Sequence, residues 1–284
     1  MTLYPNAKIN LGLNIVSKRP DGYHNLETVF LPVPELHDEL EITPSDAPEP
    51  YSFLQEGIAV DCPDEDNLII RAYLRVREHC PRVGHVRIRF RKCIPFGAGL
   101  GGGSADAAFT VRALNELFSL GLTPEQMERL VTPLGADCAF FIQNRPRFAE
   151  GIGEIFSEVP QSLTDQLQGH WLLLVKPDCA VSTRAAYRGI LPKRPAVALR
   201  EALTRPIQTW QQTVLNDFEE SVFPQFPEIA AWKQRLLDLG ADYAAMSGSG
   251  ATVFALFPEK PELSSPALRD WHGFTSCSQL DFQV

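Results

Sequence analysis

The sequence has few of the features that build metal sites, disulfide frameworks or membrane segments. Its six cysteines are scattered, form no C-x-x-C pair, and have no histidine at a spacing that suits tetrahedral zinc. We therefore expect reduced thiols, and neither a zinc hydrolase nor a disulfide-stabilised scaffold. No run of about 18 apolar residues occurs, and Lys8 and three asparagines interrupt the N-terminal stretch. We expect neither a membrane span nor a signal peptide.

Positive charge is also in short supply. The 284 residues include 26 basic and 35 acidic side chains, which gives a formal net charge of -9. A polynucleotide-binding protein needs a cationic surface that displaces counterions from phosphates, so this balance argues against a nucleic-acid partner. With 44% hydrophobic and 21% charged residues, the composition is that of an ordinary soluble globular protein, and we expect a cytoplasmic location.

Residues 7–16 alternate with the period of two that is typical of a β-strand. The apolar side chains share one face, and Lys8, Asn10 and Asn14 lie on the other. We expect a half-buried strand. Its polar face carries an ammonium and two amides in a row, which suits a binding surface better than plain exposure to solvent.

Other segments predict further strands and helices. Residues 85–91 alternate between apolar and basic side chains, which we interpret as a strand with a basic solvent face. Strands are also expected at 171–176, 252–257 and 274–280. Asp66 precedes an amphipathic stretch that Pro81 closes, a capping box begins at Thr123, and residues 181–187 and 227–239 have helical patterns, the latter ending at Gly240. The interleaving of strands and helices indicates an α/β or α+β protein, with an irregular segment at 157–169 as the best domain boundary.

The most informative segment runs from Pro95 to Ala108 and contains five glycines within seven residues. Such a backbone can direct several N–H groups at one anion, and a helix that starts near Ser104 would add donors and a positive dipole end. A triphosphate is the natural ligand. The segment is not a P-loop, because no lysine precedes the serine, and the formal G-x-G-x-x-G match lacks the acidic residue of a dinucleotide site.

The pattern P-x-x-x-G-L-G-G-G-S-x-D-A-A in this segment resembles the phosphate loop of the GHMP kinases. Further segments resemble those members of the superfamily whose acceptor is a cytidine-diphosphate-linked methylerythritol. With residues 150–154 and 215–219 the resemblance spans nearly the whole chain. The segments that carry this closer resemblance are residues 6–13, 19–24, 134–141 and 244–252.

The resemblance implies an α+β fold of the α/β sandwich type, the GHMP kinase fold. Residues 1–157 would form a ribosomal-protein-S5-domain-2-like N-terminal domain that binds ATP, and residues 158–284 a ferredoxin-like C-terminal domain. The implied reaction transfers the γ-phosphoryl group of ATP to the 2-hydroxyl of the acceptor, in the non-mevalonate route to isoprenoids. ATP as co-substrate and Mg²⁺ are the implied cofactors, and a monomer or weak homodimer without nucleic-acid or membrane partners is expected.

The resemblance assigns catalytic roles to Asp137 and Lys8. Asp137 would accept the proton of the acceptor hydroxyl, and Lys8 would pair with that carboxylate and offset charge on the transferring group. A turn or helix-cap aspartate and a solvated strand lysine are the alternative interpretations. For the acceptor, the resemblance implies that Tyr23 and His24 help bind the cytosine, with Tyr187 stacking on its other face, although His24 and Tyr187 could instead be packing residues. Asn10 and Gly248 complete the predicted acceptor site.

The implied ATP site includes the glycine segment and two residues outside it. Asn67 and Lys92 occupy positions that contact ATP in relatives, although Lys92 could instead end the basic strand face. Ser104 is the one candidate magnesium ligand. Position 105 is alanine where members often have serine, so a hydroxyl contact is lost while the amide remains. The predicted phosphate-loop residues are Pro95, Phe96, Gly97, Ala98, Gly99, Leu100, Gly101, Gly102, Gly103, Ser104 and Ala105.

Two other functions stay open from the sequence. One is a GHMP kinase or related decarboxylase with a mevalonate- or homoserine-type substrate, against which the Asp21-Gly22-Tyr23-His24 segment argues, because such a substrate has no nucleobase. The other is a catalytically silent nucleotide-binding sensor, against which the presence of both Lys8 and Asp137 argues.

Overall fold

The computed structural model describes residues 1–60, 62–264, 268 and 273–282. Within these residues the strands are β1 (Thr2–Leu3), β2 (Asn6–Lys18), β3 (His24–His37), β4 (Glu39–Pro44), β5 (Tyr51–Gly57), β6 (Val86–Lys92), β7 (Arg147–Glu150), β8 (Ile155–Glu158), β9 (Trp171–Lys176), β10 (Tyr243–Met246), β11 (Val253–Phe257) and β12 (Phe274–Gln279). The α-helices are α1 (Leu68–His79), α2 (Gly102–Leu117), α3 (Pro124–Val131), α4 (Phe140–Gln143), α5 (Gln161–Leu167), α6 (Thr183–Tyr187), α7 (Leu199–Ala202), α8 (Trp210–Thr213), α9 (Phe218–Val222) and α10 (Pro227–Asp238). None of these helices is long and apolar enough to cross a membrane.

The described strands form three four-stranded sheets, with the orders β1-β4-β6-β5, β2-β3-β7-β8 and β10-β11-β9-β12. In the first sheet β5 and β6 pair in parallel and β4 and β6 antiparallel. The third sheet is antiparallel, and its first strand in chain order, β9, lies between the third and the fourth. This is the strand order of a ferredoxin-like sheet. Helices and sheets are mixed in the chain, which confirms the α+β prediction.

The chain divides into two compact units, each assembled from separate segments. The first contains Met1–Lys8, Pro32–Phe96 and Gly101–Arg145, and the second contains Ile9–Leu31, Gly97–Leu100 and Pro146–Val284. The domain boundary expected near residue 157 stays a prediction. The irregular segment expected at 157–169 is wrong, because Gln161–Leu167 is the helix α5, held by the buried Leu163 and Leu167.

The structure confirms the prediction for one of the two segments with alternating polarity, β6, and contradicts it for the other, β2. In β6 the apolar residues are buried while Arg87, Arg89 and Arg91 are exposed, which confirms the basic solvent face. In β2 the expectation of a half-buried strand is wrong, because every residue from Asn6 to Ile15 is buried. The polar side chains of β2 are therefore internal groups that need partners in the fold.

The start of α1 also differs from its prediction. Asn67, not Asp66, is the N-cap, and its side-chain oxygen accepts a 3.0 Å hydrogen bond from the backbone N–H of Ile69. Asp66 belongs instead to a short 3-10 helix, Asp64–Asp66. The cap at Thr123 is confirmed, with Gln126 as the reciprocal partner of the capping box.

Replacement of the two neighbouring candidates for the α1 cap tests this assignment. Asn67→Ala is expected to lower the free energy of unfolding by about 0.5–2 kcal/mol, because an N–H of α1 loses its partner. Asp66→Ala is expected to change it by less than about 0.5 kcal/mol. Urea unfolding of both variants checks this, and a larger loss in Asp66→Ala would contradict the cap assignment.

Candidate active site

The helix α2 starts two residues before the expected Ser104. Gly101 is its N-cap with φ +70°, a left-handed conformation that glycine adopts without strain, and none of the described side chains caps the first turn. The first backbone N–H groups of α2 therefore stay available to a ligand, and the helix dipole makes this end attractive to an anion. The predicted anion-binding role of Gly102, Gly103 and Ser104 fits this geometry.

Lys8 passes beside the start of α2 and reaches Asp137. A Cβ built at Gly101 would lie 3.0 Å from Cε of Lys8, so glycine gives the lysine its room. Lys8 Nζ lies 3.2 Å from Oδ2 of Asp137, and the two side chains are 3% and 33% exposed. The solvated-lysine interpretation is therefore wrong. Asp137 lies in a turn but does not cap α4, whose N-cap is Ala139. Its partly open carboxylate can accept a proton from a ligand while Lys8 supplies positive charge.

The hydroxyl of Ser104 is hydrogen-bonded to the thiol of Cys138, the residue after Asp137. Burial raises the pKa of this thiol to about 12, and the hydrogen bond from Ser104 opposes the rise. Cys138 is fully buried, so it packs behind the site and is not a nucleophile.

This thiol should resist alkylation in the folded protein. At pH 8 the thiolate of Cys138 is expected to be about a thousandfold rarer than that of an ordinary cysteine. Treatment with iodoacetamide, followed by peptide mass spectrometry, should modify the half-buried Cys80 at least 100-fold faster than Cys138, an order-of-magnitude expectation. Equal rates of modification would contradict the buried, protonated thiol.

Lys92 faces the interior, not the basic outer face of β6. Its ammonium lies 2.5 Å from Asp38 and 2.9 Å from Asp106, and Asp38 also accepts hydrogen bonds from the backbone N–H groups of Cys93 and Ile94. Burial acts to lower the pKa of Lys92, but the two carboxylates outweigh it and raise that pKa. The alternative interpretation of Lys92 as the end of the solvent face is wrong. The ion pairs join β6, the start of β4 and the first turns of α2.

The carboxyl of Asp106 is fully buried and only partly compensated by its partners. Burial raises its pKa well above the ordinary aspartate value, Lys92 opposes the rise, and the Asp38 carboxylate adds to it. One carboxylate oxygen of Asp106 is buried without a hydrogen-bond partner among the described residues. The folded state therefore favours a proton on this carboxyl.

The raised pKa of Asp106 predicts that the free energy of unfolding depends on pH. A group whose folded pKa is raised stabilises the fold fully at low pH, and this contribution is lost as the pH rises towards the folded pKa. Asp106→Asn is expected to flatten the decline of the unfolding free energy as the pH rises above the ordinary aspartate pKa, by up to about 1.4 kcal/mol per pH unit. Urea unfolding at several pH values checks this, with the exposed Asp46→Asn as control. Equal slopes in wild type and Asp106→Asn would rule out the buried proton.

A cavity of about 380 Å³ lies beside the end of β5 and the start of α1. Asn67, predicted to contact ATP, is one of its lining residues, and so are Gly57 and Val60. A side-chain amide in the wall of a cavity can hydrogen-bond the edge of a nucleobase. The other lining residues are Phe53, Gln55, Glu56, Ala59, Cys62 and Asp64.

In the second unit, Asn10 lies in a buried hydrogen-bond network. Its amide Nδ2 donates to the hydroxyl of Thr28 at 3.1 Å, and its backbone N–H donates to Oγ of Ser247 at 3.3 Å. Ser247 in turn donates to the carbonyl oxygen of Gly99 at 2.9 Å. The predicted acceptor residue Asn10 and the phosphate-loop residue Gly99 are thus joined through one hydroxyl, while Ala98 and Leu100 anchor the loop by burial.

Two glycines make this close packing possible. A Cβ at Gly99 would lie 2.0 Å from the backbone oxygen of Ser247, and one at Gly248 would lie 3.1 Å from Oδ1 of Asn10. Both residues have positive φ values, of 72° and 54°. Asn216 holds the same turn, because its Nδ2 donates to the carbonyl oxygens of Met246 and Gly248 at 2.7 and 2.8 Å.

Two of the aromatic residues predicted to bind the base are in contact with each other. Tyr187 stacks on the imidazole of His24 with ring centroids 4.9 Å apart, and also makes an edge contact with Phe218 at 4.8 Å. Tyr23 is 62% exposed, as Phe96 is at 70% in the glycine segment. Burial, with the charge of Lys18, lowers the pKa of His24, so the ring is neutral at neutral pH. A base held between Tyr23 and Tyr187 stays a prediction.

Five polar residues at or beside the candidate site were not identified from the sequence. Thr28, Asp38, Asp106, Asn216 and Ser247 are polar residues whose partners are far away in the chain. Asp106, Asn216 and Ser247 do stand in the segments that carry the family resemblance. No sequence motif around Thr28 or Asp38 indicated that these residues belong to the site.

Comparison with known proteins places the chain in a family. The model of the GHMP kinases N terminal domain matches residues 67–145, and that of the GHMP kinases C terminal region matches residues 193–268. The 4-diphosphocytidyl-2-C-methyl-D-erythritol kinase of Bacteroides thetaiotaomicron is 50% identical over 275 residues, which cover 95% of this chain and 96% of the relative. The kinase of that name from Bacteroides fragilis is 52% identical over 265 residues, or 93% of this chain and 94% of the relative.

A solved structure gives the same result. The crystal structure of a 4-(cytidine 5'-diphospho)-2C-methyl-D-erythritol kinase matches with a TM-score of 0.76 at 32% identity, over 98% of both chains. The mevalonate kinase of Methanococcus jannaschii shares the fold, with a TM-score of 0.72 at 11% identity. The chain therefore belongs to the GHMP kinase family, in the group of the 4-diphosphocytidyl-2-C-methyl-D-erythritol kinases.

Proposed function

We propose that the protein transfers the γ-phosphoryl group of ATP to the 2-hydroxyl of 4-(cytidine 5'-diphospho)-2-C-methyl-D-erythritol. The products are the 2-phosphate and ADP, and the step belongs to non-mevalonate isoprenoid biosynthesis. The observation that carries the proposal is the Lys8–Asp137 pair at 3.2 Å beside the uncapped start of α2. The names of relatives about 50% identical over nearly the whole chain support the choice of acceptor.

The chemistry follows from the groups at the site. A tertiary alcohol is a crowded, weak nucleophile, so it has to be aligned with the γ-phosphorus and lose its proton as the new bond forms. Asp137 accepts that proton, the bond from the acceptor oxygen to the γ-phosphorus forms, and the bond from the γ-phosphorus to the bridging oxygen breaks. ADP leaves with the electron pair of that bond. Lys8 and the N–H groups of α2 stabilise the charge on the transferring phosphoryl group.

The triphosphate is assigned to the glycine segment, Pro95 to Ala105, and the adenine to the cavity that Asn67 lines. The buried Lys92 acts on ATP from behind the helix start, since its Nζ would lie 2.9 Å from a Cβ at Gly102. Its partners Asp38 and Asp106 hold it there. The phosphates thus meet backbone donors, with a paired ammonium beneath them.

Magnesium would neutralise part of the triphosphate charge. Among the described residues, no group of three or more histidine, cysteine, aspartate or glutamate side chains is placed to hold a metal ion. The protein's contribution is therefore small, and the oxygen of Ser104, which keeps acceptor capacity beside its contact with Cys138, fits as a single ligand. Phosphate oxygens and water supply the rest.

The acceptor is assigned to the second unit. Asn10 and Gly248 lie at the hydrogen-bonded turn around Ser247, and the stacked pair His24 and Tyr187 offers neutral ring surface for the cytosine. Stacking of a base on such a ring contributes about 1–3 kcal/mol. Tyr23, which is exposed, is free to close over the other face of the base.

A coupled assay of ADP release tests the acceptor. The purified protein should release ADP with the cytidylyl acceptor and not with mevalonate or homoserine at the same concentration. Turnover with one of the latter two alone would overturn the proposal in favour of another GHMP kinase. ATP binding without turnover of any acceptor would indicate a nucleotide sensor. We also propose that the enzyme acts in the cytoplasm as a monomer or weak homodimer, without a nucleic-acid or membrane partner.

A further inference from the structure

An exposed arginine lies close to the start of α2. Arg71, in the second turn of α1, is exposed, and among the residues that the structure describes its guanidinium makes no hydrogen bond or ion pair. Its neighbours on the helix differ, because Arg75 donates to the carbonyl oxygen of Leu130 and Arg77 to the hydroxyl of Tyr73. Within the described part of the chain, Arg71 is therefore an exposed positive charge without an acidic partner.

The helical spacing places Arg71 towards the phosphate-binding helix start. Leu68, Arg71 and Arg75 are three and four residues apart, so they share one face of α1. Leu68 Cδ1 would lie 3.4 Å from a Cβ at Gly103, and Nε of Arg75 lies 2.7 Å from the carbonyl oxygen of Leu130. This face therefore runs from the first turn of α2 to the end of α3, with Arg71 in between.

Two further observations relate Arg71 to the proposed ATP site. The charge of Arg71 acts on the thiol of Cys138, to which the hydroxyl of Ser104 is hydrogen-bonded. Arg71 also lies one helical turn after Asn67, which lines the cavity assigned to adenine. The partly exposed carboxylate of the site, that of Asp137, already has Lys8 as its partner.

We propose that Arg71 binds the polyphosphate chain of ATP, as a side-chain ligand in addition to the backbone donors of α2. This inference rests on the proposed ATP site. A guanidinium can donate two parallel hydrogen bonds to phosphate oxygens, and the positive end of α2 and an exposed arginine together favour a ligand with several negative charges. The diphosphate of the acceptor has the same chemistry, and the experiment separates the two sources.

Nucleotide binding without the acceptor is the test. Titration calorimetry of Arg71→Ala should show ATP and ADP binding weakened about 10- to 100-fold, the usual effect of a lost charge-assisted hydrogen bond, and adenosine binding changed less than about twofold. Arg71→Lys should recover part of the affinity, since one charge returns without the paired donors. The exposed Arg129→Ala on α3 serves as control and should bind all three ligands like the wild type.

The outcomes are distinct. Unchanged ATP and ADP affinities in Arg71→Ala would overturn the proposal, and so would an equal loss for adenosine, which would indicate a structural role. A rise of KM for the cytidylyl acceptor with normal ATP binding would assign Arg71 to the acceptor diphosphate and would also overturn it. Failure of the wild type to phosphorylate that acceptor would refute the proposed function, while the calorimetric result would still decide the role of Arg71.

Discussion

Asp137→Asn is expected to lower kcat with the cytidylyl acceptor by about 10²- to 10⁴-fold, with KM for ATP changed less than about threefold. Asparagine keeps the shape of the side chain but cannot accept the hydroxyl proton, and it leaves the buried Lys8 without its carboxylate. ATP binding should persist, because the proposed phosphate donors on α1 and α2 and the cavity assigned to adenine do not include Asp137. Steady-state kinetics with both substrates varied checks this.

The exposed Asp165→Asn is the matched control and should retain wild-type kcat. A normal kcat in Asp137→Asn would remove Asp137 from proton transfer and return it to the alternative of a turn residue. A loss of ATP binding together with activity would instead indicate that the Lys8–Asp137 pair only maintains the shape of the nucleotide site.

Lys92→Met is expected to lower the free energy of unfolding by about 3–5 kcal/mol at pH 7. The substitution keeps the length of the side chain but leaves Asp38 and Asp106 buried together, with the ammonium that both contact removed. The loss should shrink as the pH falls, because protonation then removes the uncompensated charge. Arg91→Met, one residue earlier and on the exposed face of β6, should stay within about 0.5 kcal/mol of the wild type.

Urea unfolding of both variants at pH 5 and pH 7 measures the effect. The double variant Lys92→Met/Asp106→Asn should recover part of the stability, because one of the two buried carboxyls is gone. A free energy of unfolding for Lys92→Met within about 1 kcal/mol of the wild type would contradict the account of the buried ion pairs.

Local patterns predicted the elements whose structure is decided locally. The alternation in β6 and the capping box of α3 depend on residues within a few positions of each other, and the structure confirms both. The strand β9 was predicted with its observed bounds. At α1 two adjacent residues could cap the helix, and the sequence could not decide that Asn67 does so. The helix α5 was missed because its short polar sequence is held by only two buried leucines.

Partners that are distant in the sequence explain the features that local patterns did not predict. The polar face of β2 was correctly interpreted as more than a solvent face, but its burial depends on partners that periodicity cannot reveal. Lys8 pairs with Asp137, Asn10 with Thr28, and Asn14 with Asp217. The inward direction of Lys92 likewise follows from Asp38 and Asp106, which are 54 and 14 residues away.

The family resemblance assigned functional roles to residues that local sequence patterns alone could not have identified. Lys8 and Asp137 lie far apart in the sequence and were paired on family grounds, and the structure places them 3.2 Å apart. The aromatic residues predicted to bind the acceptor were named on the same grounds. Their arrangement, with His24 stacked on Tyr187, was visible only in the structure. The hydroxyl that joins Asn10 to Gly99, that of Ser247, was likewise outside the reach of spacing arguments.

Analysis of the product tests the central claim most directly. The protein should be incubated with ATP labelled in the γ-phosphoryl group and with the cytidylyl acceptor, and the product examined by phosphorus NMR. We expect one labelled phosphomonoester on the tertiary 2-hydroxyl, an intact diphosphate, and one ADP for each product molecule. A label on another hydroxyl, or ADP release without a phosphorylated acceptor, would contradict this claim.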